Sequence, residues 1–146
     1  MITCNEITIA APPGKIFAYA SLTQNWPQYL PHYRFVRVLR RDEDEQIVEM
    51  AAWRGFLPVR WIARQRNDSR RPAIFFHHIA GWTKGMDVEW SFQVVGGKTL
   101  VSIEHRLNFR FPFAADYLGK RVVGDFFVHD IASKTLARMK TLAERT

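Results

Sequence analysis

The sequence has little cysteine and no long apolar run. Cys4 is the only cysteine among 146 residues, which excludes an intramolecular disulfide framework and a cysteine-based zinc site. No apolar stretch approaches the roughly 20 residues that a membrane-spanning helix needs. The N-terminal residues also lack the charged-then-apolar pattern of a secretory signal. We therefore expect a reduced, cytoplasmic protein.

Several common catalytic and binding motifs are also absent from the sequence. There is no Ser-His-Asp order, no glycine-rich phosphate loop and no close carboxylate pair. The sequence therefore offers no support for triad hydrolysis, nucleotide chemistry or glycoside cleavage. The histidines lack HxH and HxxxH spacing, and the adjacent pair His77 and His78 must point to opposite faces of a strand. We expect no metal and no other cofactor.

The sequence is rich in aromatic side chains and in positive charge. Aromatic residues make up 14% of the chain, which favours either a dense core or a ligand pocket. The formal net charge is +7, and arginines cluster in residues 34–41 and 60–71. Arg60, Arg64 and Arg66 share one strand face and form a predicted basic stripe. Such a stripe is usually a solvated face, but contact with an anionic membrane or with RNA stays open.

The apolar pattern predicts one domain of the α+β class over residues 1–146. A first strand at residues 2–10 is followed by two short helices, one beginning near Pro13 and one near Pro27. The pattern then predicts six further antiparallel strands, at residues 34–41, 46–53, 58–66, 72–80, 86–95 and 99–109. A long C-terminal helix is predicted from about residue 113, with an apolar stripe at Val128, Ala132, Leu136, Met139 and Ala143.

A seven-stranded antiparallel sheet with one long helix on its concave face is hard to fill completely with side chains. We therefore expect an internal cavity, which is where ligands bind. The stretch GMDVEWSF alternates apolar and polar residues, so Trp90 shares an inward face with Val88 and Phe92. The chain has too many large aromatic residues to fit one small core, which favours Trp90 as a residue that lines the cavity.

The order of elements, with the segments APPGKIFAYA, NWPQYLPHY and GMDVEWSF, resembles the helix-grip fold of START-like and birch-allergen-like proteins. Within this group the sequence is similar to the polyketide cyclase/dehydrase family. That family includes aromatase/cyclases, coenzyme Q-binding START-domain proteins and a ribosome-associated toxin group. The resemblance implies a seven-stranded antiparallel curved sheet wrapped around a long C-terminal helix, two short helices after the first strand, and an internal cavity.

The resemblance also implies roles for individual residues. Trp26 and Tyr33 are similar to an aromatic pair of aromatase/cyclases, and Trp90 is similar to their cavity tryptophan. Gln65 occupies a position where those enzymes carry arginine, and glutamine cannot supply that positive charge, so their mechanism is not expected to transfer intact. The ligand contacts that we expect are Trp26, Trp61, Gln65, Trp90, Phe92 and Phe127.

Two side chains are candidates for acid–base chemistry. His105 shares an inward strand face with Ile103 and Leu107, so it is either a hydrogen-bonded core histidine or a proton-transfer group in the cavity. The hydroxyl of Tyr33 could bind or protonate a carbonyl. Strand parity does not decide whether His77 or His78 faces inward.

These features lead to three hypotheses of function. In the first, the protein binds an aromatic or polyketide-like molecule and either directs its cyclisation and dehydration or only holds it. In the second, it is a lipid or quinone carrier, and Arg37, Arg41 and Arg64 form a basic rim toward anionic membranes. In the third, the same basic face contacts the ribosome or another RNA.

Overall fold

The computed structural model describes residues 1–81, 83–108 and 128–145. The predicted order of elements is confirmed over these residues. The elements are β1 (Ile2–Ile9), α1 (Pro13–Ser21), a 3-10 turn (Thr23–Asn25), α2 (Trp26–Tyr29), β2 (Tyr33–Arg41), β3 (Glu45–Arg54), β4 (Leu57–Asp68), β5 (Ala73–Gly81), β6 (Asp87–Val95), β7 (Lys98–Arg106) and α3 (His129–Ala143).

The seven strands form one antiparallel sheet in the order β1-β7-β6-β5-β4-β3-β2. From β2 to β7, each strand pairs with the next one along the chain, because antiparallel neighbours need only a short connection. Strand β1 instead pairs with β7, with Ile2 opposite Arg106. Strands β1 and β2 are therefore the two edges of the sheet. A register shift between Ile62 and Ala63 interrupts the β4–β5 pairing, and irregularities of this kind bend a sheet.

Helix α3 packs on the sheet through one apolar face. Its nearest partners are β1 and α1. The predicted stripe of Val128, Ala132, Leu136, Met139 and Ala143 is buried, as expected for a helix with one core-facing side. The predicted beginning of this helix lies outside the described residues. None of the helices in the described part of the chain is both long and apolar enough to cross a bilayer.

The inner face of the sheet carries the alternate residues that the sequence pattern predicted. In β7, Ile103 and His105 are buried, and in β6 the same holds for Trp90. Near the β6–β7 hairpin, inward-facing residues are no longer buried. Val94 shares the face of Trp90 but is 62% exposed. Trp53 lies at the surface and takes no part in the core.

Two turns, β3–β4 and β5–β6, lie at the same end of the sheet, because successive hairpin turns alternate between the two ends. Gly81 begins the second turn with φ of +102°, opposite Trp61 of β4. A Cβ atom at Gly81 would lie 2.6 Å from the carbonyl oxygen of Arg60 and 2.9 Å from Cα of Trp61. This position therefore requires glycine, both for its backbone conformation and for the close approach of the two strands.

Candidate functional site

A cavity lies between the inner face of the sheet and helix α3. The centre of a water-sized sphere can occupy about 90 Å³ of it, and it opens toward solvent. Its wall is mostly apolar with a few polar groups, which is typical of sites for small molecules. The lining residues that matter below are Trp26, Tyr33, Arg60, Trp61, His78, Thr83, Trp90, His105 and Thr135.

Four aromatic residues from different elements meet in this wall. The ring centroids of Trp26 and Tyr33 are 5.1 Å apart, and those of Trp26 and Trp90 are 5.8 Å apart. Tyr33 also lies 6.1 Å from Trp61. These separations are favourable for aromatic pairs, so the rings support one another while presenting part of their surface to the cavity. The structure thus brings together four predicted site residues that are far apart in the sequence.

The indole N–H group of Trp26 joins two helices. Trp26 donates through Nε1 to the carbonyl oxygen of Tyr19 at 3.3 Å, which fixes helix α2 to helix α1. Trp90 is only 3% exposed, and it lines the cavity beside Trp26.

His105 lines the same cavity. Its side chain is 8% exposed, and its Nδ1 atom has no hydrogen-bond partner in the described part of the chain. Burial lowers the pKa of His105 to about 4, so the imidazole is neutral at pH 7. A core histidine would be expected to use this nitrogen within the protein. In this protein the nitrogen is instead buried without a partner, in a residue that lines the cavity.

His78 is the second histidine of the cavity, and the sequence did not decide its orientation. His77 faces solvent, with Nδ1 at 2.6 Å from Oδ1 of Asp87, whereas His78 points inward. The ring of His78 stacks on Trp61 with 5.7 Å between centroids, and its Nδ1 lies 2.6 Å from Oγ1 of Thr83. Burial, and then the neighbouring His105 and His77, lower the pKa of His78 to about 3. This imidazole is therefore also neutral.

Tyr33 is held against helix α3. Burial raises the pKa of its hydroxyl well above the usual value, an effect that a hydrogen bond with Thr135 partly offsets. Oγ1 of Thr135 also lies 2.9 Å from Nε2 of His32 and donates to the carbonyl oxygen of Ile131 at 2.8 Å. The phenol therefore stays protonated near neutral pH, and its hydroxyl is a hydrogen-bonding group.

Gln65 lies apart from the cavity lining, in a buried polar network. Its Oε1 accepts hydrogen bonds from Oγ1 of Thr23 at 2.7 Å and from Nε2 of Gln46 at 2.9 Å. Its Nε2 donates to the carbonyl oxygen of Ser21 at 2.8 Å and to Oδ1 of Asn67 at 2.9 Å. Because the amide is fully used within the protein, Gln65 ties β4 to the end of helix α1. It does not present a free group to a ligand in the cavity.

Phe92, another expected contact, is not among the residues that line the cavity. Phe92 packs on Phe17 with 5.9 Å between ring centroids and on Trp90 with 6.4 Å. It therefore supports Trp90 from behind, outside the lining. Phe127 lies outside the described residues. Within the part of the chain that the structure describes, no three His, Cys, Asp or Glu side chains are grouped so as to hold a metal ion.

Carboxylates partly neutralise two arginines of the predicted basic rim, whereas the third is bonded to a neutral amide. Nη1 of Arg37 lies 3.5 Å from Oε1 of Glu49, and Nε of Arg64 lies 3.7 Å from Oε2 of Glu45. Arg41 donates to Oε1 of Gln46 at 3.1 Å. Exposed pairs of this kind add little stability, but they reduce the local positive charge.

Comparison with known proteins identifies the fold. The aromatase/cyclase Zhui from Streptomyces sp. R1128 has a TM-score of 0.87 at 16% identity, over 99% of this chain and 94% of that one. A protein from Thermus thermophilus has a TM-score of 0.80 at 18% identity, over 99% of this chain and 100% of that one. A STAR-related lipid transfer protein from Xanthomonas axonopodis has a TM-score of 0.69 at 10% identity, over 99% of this chain and 86% of that one. A search of curated proteins found no match.

At identities this low, the structural likeness establishes the fold alone, and the predicted helix-grip fold of START-like proteins is confirmed. The family follows from the sequence itself. Residues 9–129, which are most of the chain, match the family described as polyketide cyclase/dehydrase and lipid transport. The chain belongs to this family, as the resemblance had implied.

Proposed function

We propose that the protein binds an uncharged, flat molecule of the aromatic or polyketide type in its cavity. Membership of the family supports a hydrophobic small molecule, and the aromatic wall offers ring faces on which a flat ligand can stack. The observation that carries the proposal is that Nδ1 of His105 is buried without a hydrogen-bond partner, in a residue that lines the cavity. Leaving such an atom unpaired is unfavourable, so a ligand that bonds to it gains affinity.

The charge of the cavity supports an uncharged ligand. His78 and His105 are neutral at pH 7 because burial lowers both pKa values, and the pKa of Tyr33 is raised. Arg60 is the charged residue among the described lining, and its side chain is 67% exposed and pairs with Glu49 at 3.3 Å. Burying an unpaired carboxylate or ammonium group deeper inside would cost several kcal/mol. The inner end of the ligand therefore carries a carbonyl or hydroxyl group.

In the finer part of the proposal, the cavity directs cyclisation or dehydration of such a molecule. A flexible chain held between the tryptophans has few accessible conformations, and this restriction is a large share of what a cyclisation requires. With a pKa of about 4, His105 is protonated in only about one molecule in a thousand at pH 7. Its contribution is therefore a hydrogen bond to a carbonyl or an enol, or acceptance of a proton, and not the supply of one.

A quinone or lipid carrier is the second candidate. It is favoured by the aliphatic part of the wall, which includes Met50, Val59, Met86 and Ile103 and suits an isoprenoid or acyl chain. A carrier would retain its molecule unchanged. Native mass spectrometry of gently purified protein, followed by extraction and identification of the bound molecule, distinguishes these two candidates by the chemistry of what is recovered.

A direct test uses 2-naphthol as a neutral probe and 2-naphthoate as its charged counterpart. Wild-type protein should bind 2-naphthol more tightly, and His105→Leu should weaken that binding by about tenfold, the value of one lost hydrogen bond. Trp90→Leu should weaken both probes because it removes stacking area. His77→Leu changes an exposed histidine and is the matched control. Equal affinity for the two probes, or full affinity in His105→Leu, would overturn the proposal.

A further inference from the structure

The β3–β4 hairpin ends in an unusually exposed apolar group. Phe56 is 87% exposed, the highest value among the large apolar side chains of the described residues, and Leu57 and Trp53 beside it are 44% and 40% exposed. Arg54 pairs with Leu57, which leaves Gly55 and Phe56 as a two-residue turn. Gly55 has φ of +62°, the conformation that a tight hairpin needs at this position. We call Trp53, Phe56 and Leu57 the apolar tip.

Cationic side chains lie around the apolar tip. The guanidinium carbon of Arg34 is 5.0 Å from the centroid of the Trp53 ring. A groove separates the hairpin from helix α3, and its far side carries Lys134 and Arg138. Arg138 also donates through Nε to the carbonyl oxygen of Tyr29 at 2.8 Å, so its guanidinium is held in place beside the groove.

The acidic groups described in this region do not cancel that charge. Asp130 lies 3.0 Å from Nζ of Lys134 and 4.0 Å from Nε of Arg54. Of the basic residues Arg34, Lys134 and Arg138, only Lys134 is paired with a carboxylate among the contacts of the described residues. The surface around the apolar tip is therefore positive, in keeping with the net charge of +7 for the chain.

The apolar tip also lies near residues that line the cavity. Strand β4 begins at Leu57 and reaches Arg60 and Trp61, which line the cavity, within about 13 Å at the usual rise per residue. Thr83, on the β5–β6 turn at the same end of the sheet, lines it as well. The apolar tip is therefore close to one part of the cavity wall.

From these observations, we propose that the apolar tip docks on the surface of a bilayer that contains anionic lipids. Phe56 and Leu57 enter the boundary between headgroups and acyl chains, Trp53 lies at the level of the headgroups, and the surrounding cations contact lipid phosphates. Charge complementarity favours this partner over a second copy of the chain, because two positive surfaces would repel each other. Docking depends on surface residues and does not require the ligand proposed above.

The test is co-sedimentation with vesicles of phosphatidylcholine, with and without phosphatidylglycerol. The protein should bind the anionic vesicles and lose that binding as salt is added. The double variant Phe56→Ser and Leu57→Ser should bind at least about tenfold more weakly, since two apolar side chains no longer enter the bilayer. Lys134→Gln should weaken binding by about fivefold.

A matched control comes from the opposite end of the sheet. Val94 and Val95, on the β6–β7 hairpin, are 62% and 51% exposed, and their double change to serine should leave vesicle binding unaltered. The proposal would be overturned if the two double variants lost vesicle binding equally, or if the Phe56→Ser and Leu57→Ser variant bound fully. It would also be overturned if binding did not depend on anionic lipid. The proposal would also be overturned if wild-type protein formed an oligomer and did not bind vesicles, while the Phe56→Ser and Leu57→Ser double variant was a monomer. The apolar tip would then join copies of the chain.

Two further measurements keep this proposal separate from the cavity. The apolar-tip variant should still bind 2-naphthol and should unfold at the wild-type temperature, because the changed side chains are exposed. Trp90→Leu should still bind anionic vesicles. Docking and ligand binding can therefore fail independently.

Discussion

His32 and His105 are two buried histidines whose hydrogen bonding differs. They are almost equally buried, at 9% and 8% exposed. Nε2 of His32 lies 2.9 Å from Oγ1 of Thr135, whereas Nδ1 of His105 has no partner in the described part of the chain. Only the first imidazole is tied to the fold by a hydrogen bond of this kind.

Substitution by leucine should separate the two roles. His105→Leu should leave the free energy of unfolding unchanged or raise it by about 1 kcal/mol, because it removes an unpaired buried nitrogen. His32→Leu should lower the same quantity by about 1–3 kcal/mol, because it breaks a buried hydrogen bond and leaves Thr135 with less of its bonding. Urea denaturation of both variants without ligand is the measurement. A loss in His105→Leu as large as that in His32→Leu would mean that His105 is structural.

For single residues, the sequence predicted which face of a strand a side chain occupies better than it predicted the hydrogen-bond partners of that side chain. Strand alternation placed Trp90 and His105 on the inner face, because side chains in a strand follow a period of two. It could not choose between His77 and His78, since both faces of that strand carry apolar residues. It also could not show that Thr23 and Gln46 would occupy the amide of Gln65, because those contacts join residues that are distant in the chain.

At the scale of elements, the junction of β4 with β5 supports the cavity wall. Gly81 allows the two strands to approach where Trp61 lines the cavity and stacks on His78. Helix α3 was predictable from its apolar stripe, and the hairpins from their turn residues. The register shift beside Ile62 was not predictable, because it depends on how the two paired strands fit together.

Gly81→Ala should therefore damage both stability and ligand binding. The added Cβ would lie 2.6 Å from a backbone oxygen that cannot move without displacing β4, and the backbone there has φ of +102°. We expect a loss of about 1–3 kcal/mol in the free energy of unfolding and weaker binding of 2-naphthol. Thermal unfolding and fluorescence titration measure the two effects.

Gly14→Ala is the control for this variant. Gly14 lies in the first turn of α1, and a Cβ there would meet nothing within 4 Å. Alanine at this position should be neutral or stabilising by up to about 1 kcal/mol, because it restricts the unfolded chain and favours the helix. If the two alanine variants behaved alike, close packing at Gly81 would not explain the requirement for glycine.

At the scale of the whole molecule, three buried histidines should make stability depend on pH. The pKa values of His32, His78 and His105 are lowered to about 4, 3 and 4, in each case chiefly by burial. For His32, Lys134 lowers the pKa further, while Asp130 and a backbone hydrogen bond at Ile131 raise it. In the unfolded chain the same groups titrate near the usual value of about 6.5.

Between about pH 6.5 and 4, the unfolded state therefore binds more protons than the folded state, so stability should fall as the pH falls through this window. The expected loss is on the order of 1–2 kcal/mol per histidine between about pH 7 and 5. Urea denaturation at a series of pH values measures it. Over the same pH range, the free energy of unfolding of His105→Leu should fall by about 1–2 kcal/mol less than that of wild type. If this variant depended on pH as strongly as wild type does, the lowered pKa of His105 would be contradicted.

The pairing of β1 with β7 has a consequence for how the protein folds. Strands β2 to β7 can assemble hairpin by hairpin, but β1 must wait for a partner about a hundred residues away, and closing such a loop costs about 4 kcal/mol of chain entropy. Helix α3 meets β1 through Asn5, whose side-chain nitrogen lies 3.0 Å from Oγ of Ser133. We therefore expect the pairing of β1 to be a late step of folding, and refolding to take milliseconds to seconds. A molecule bound inside would act after that step, by slowing unfolding.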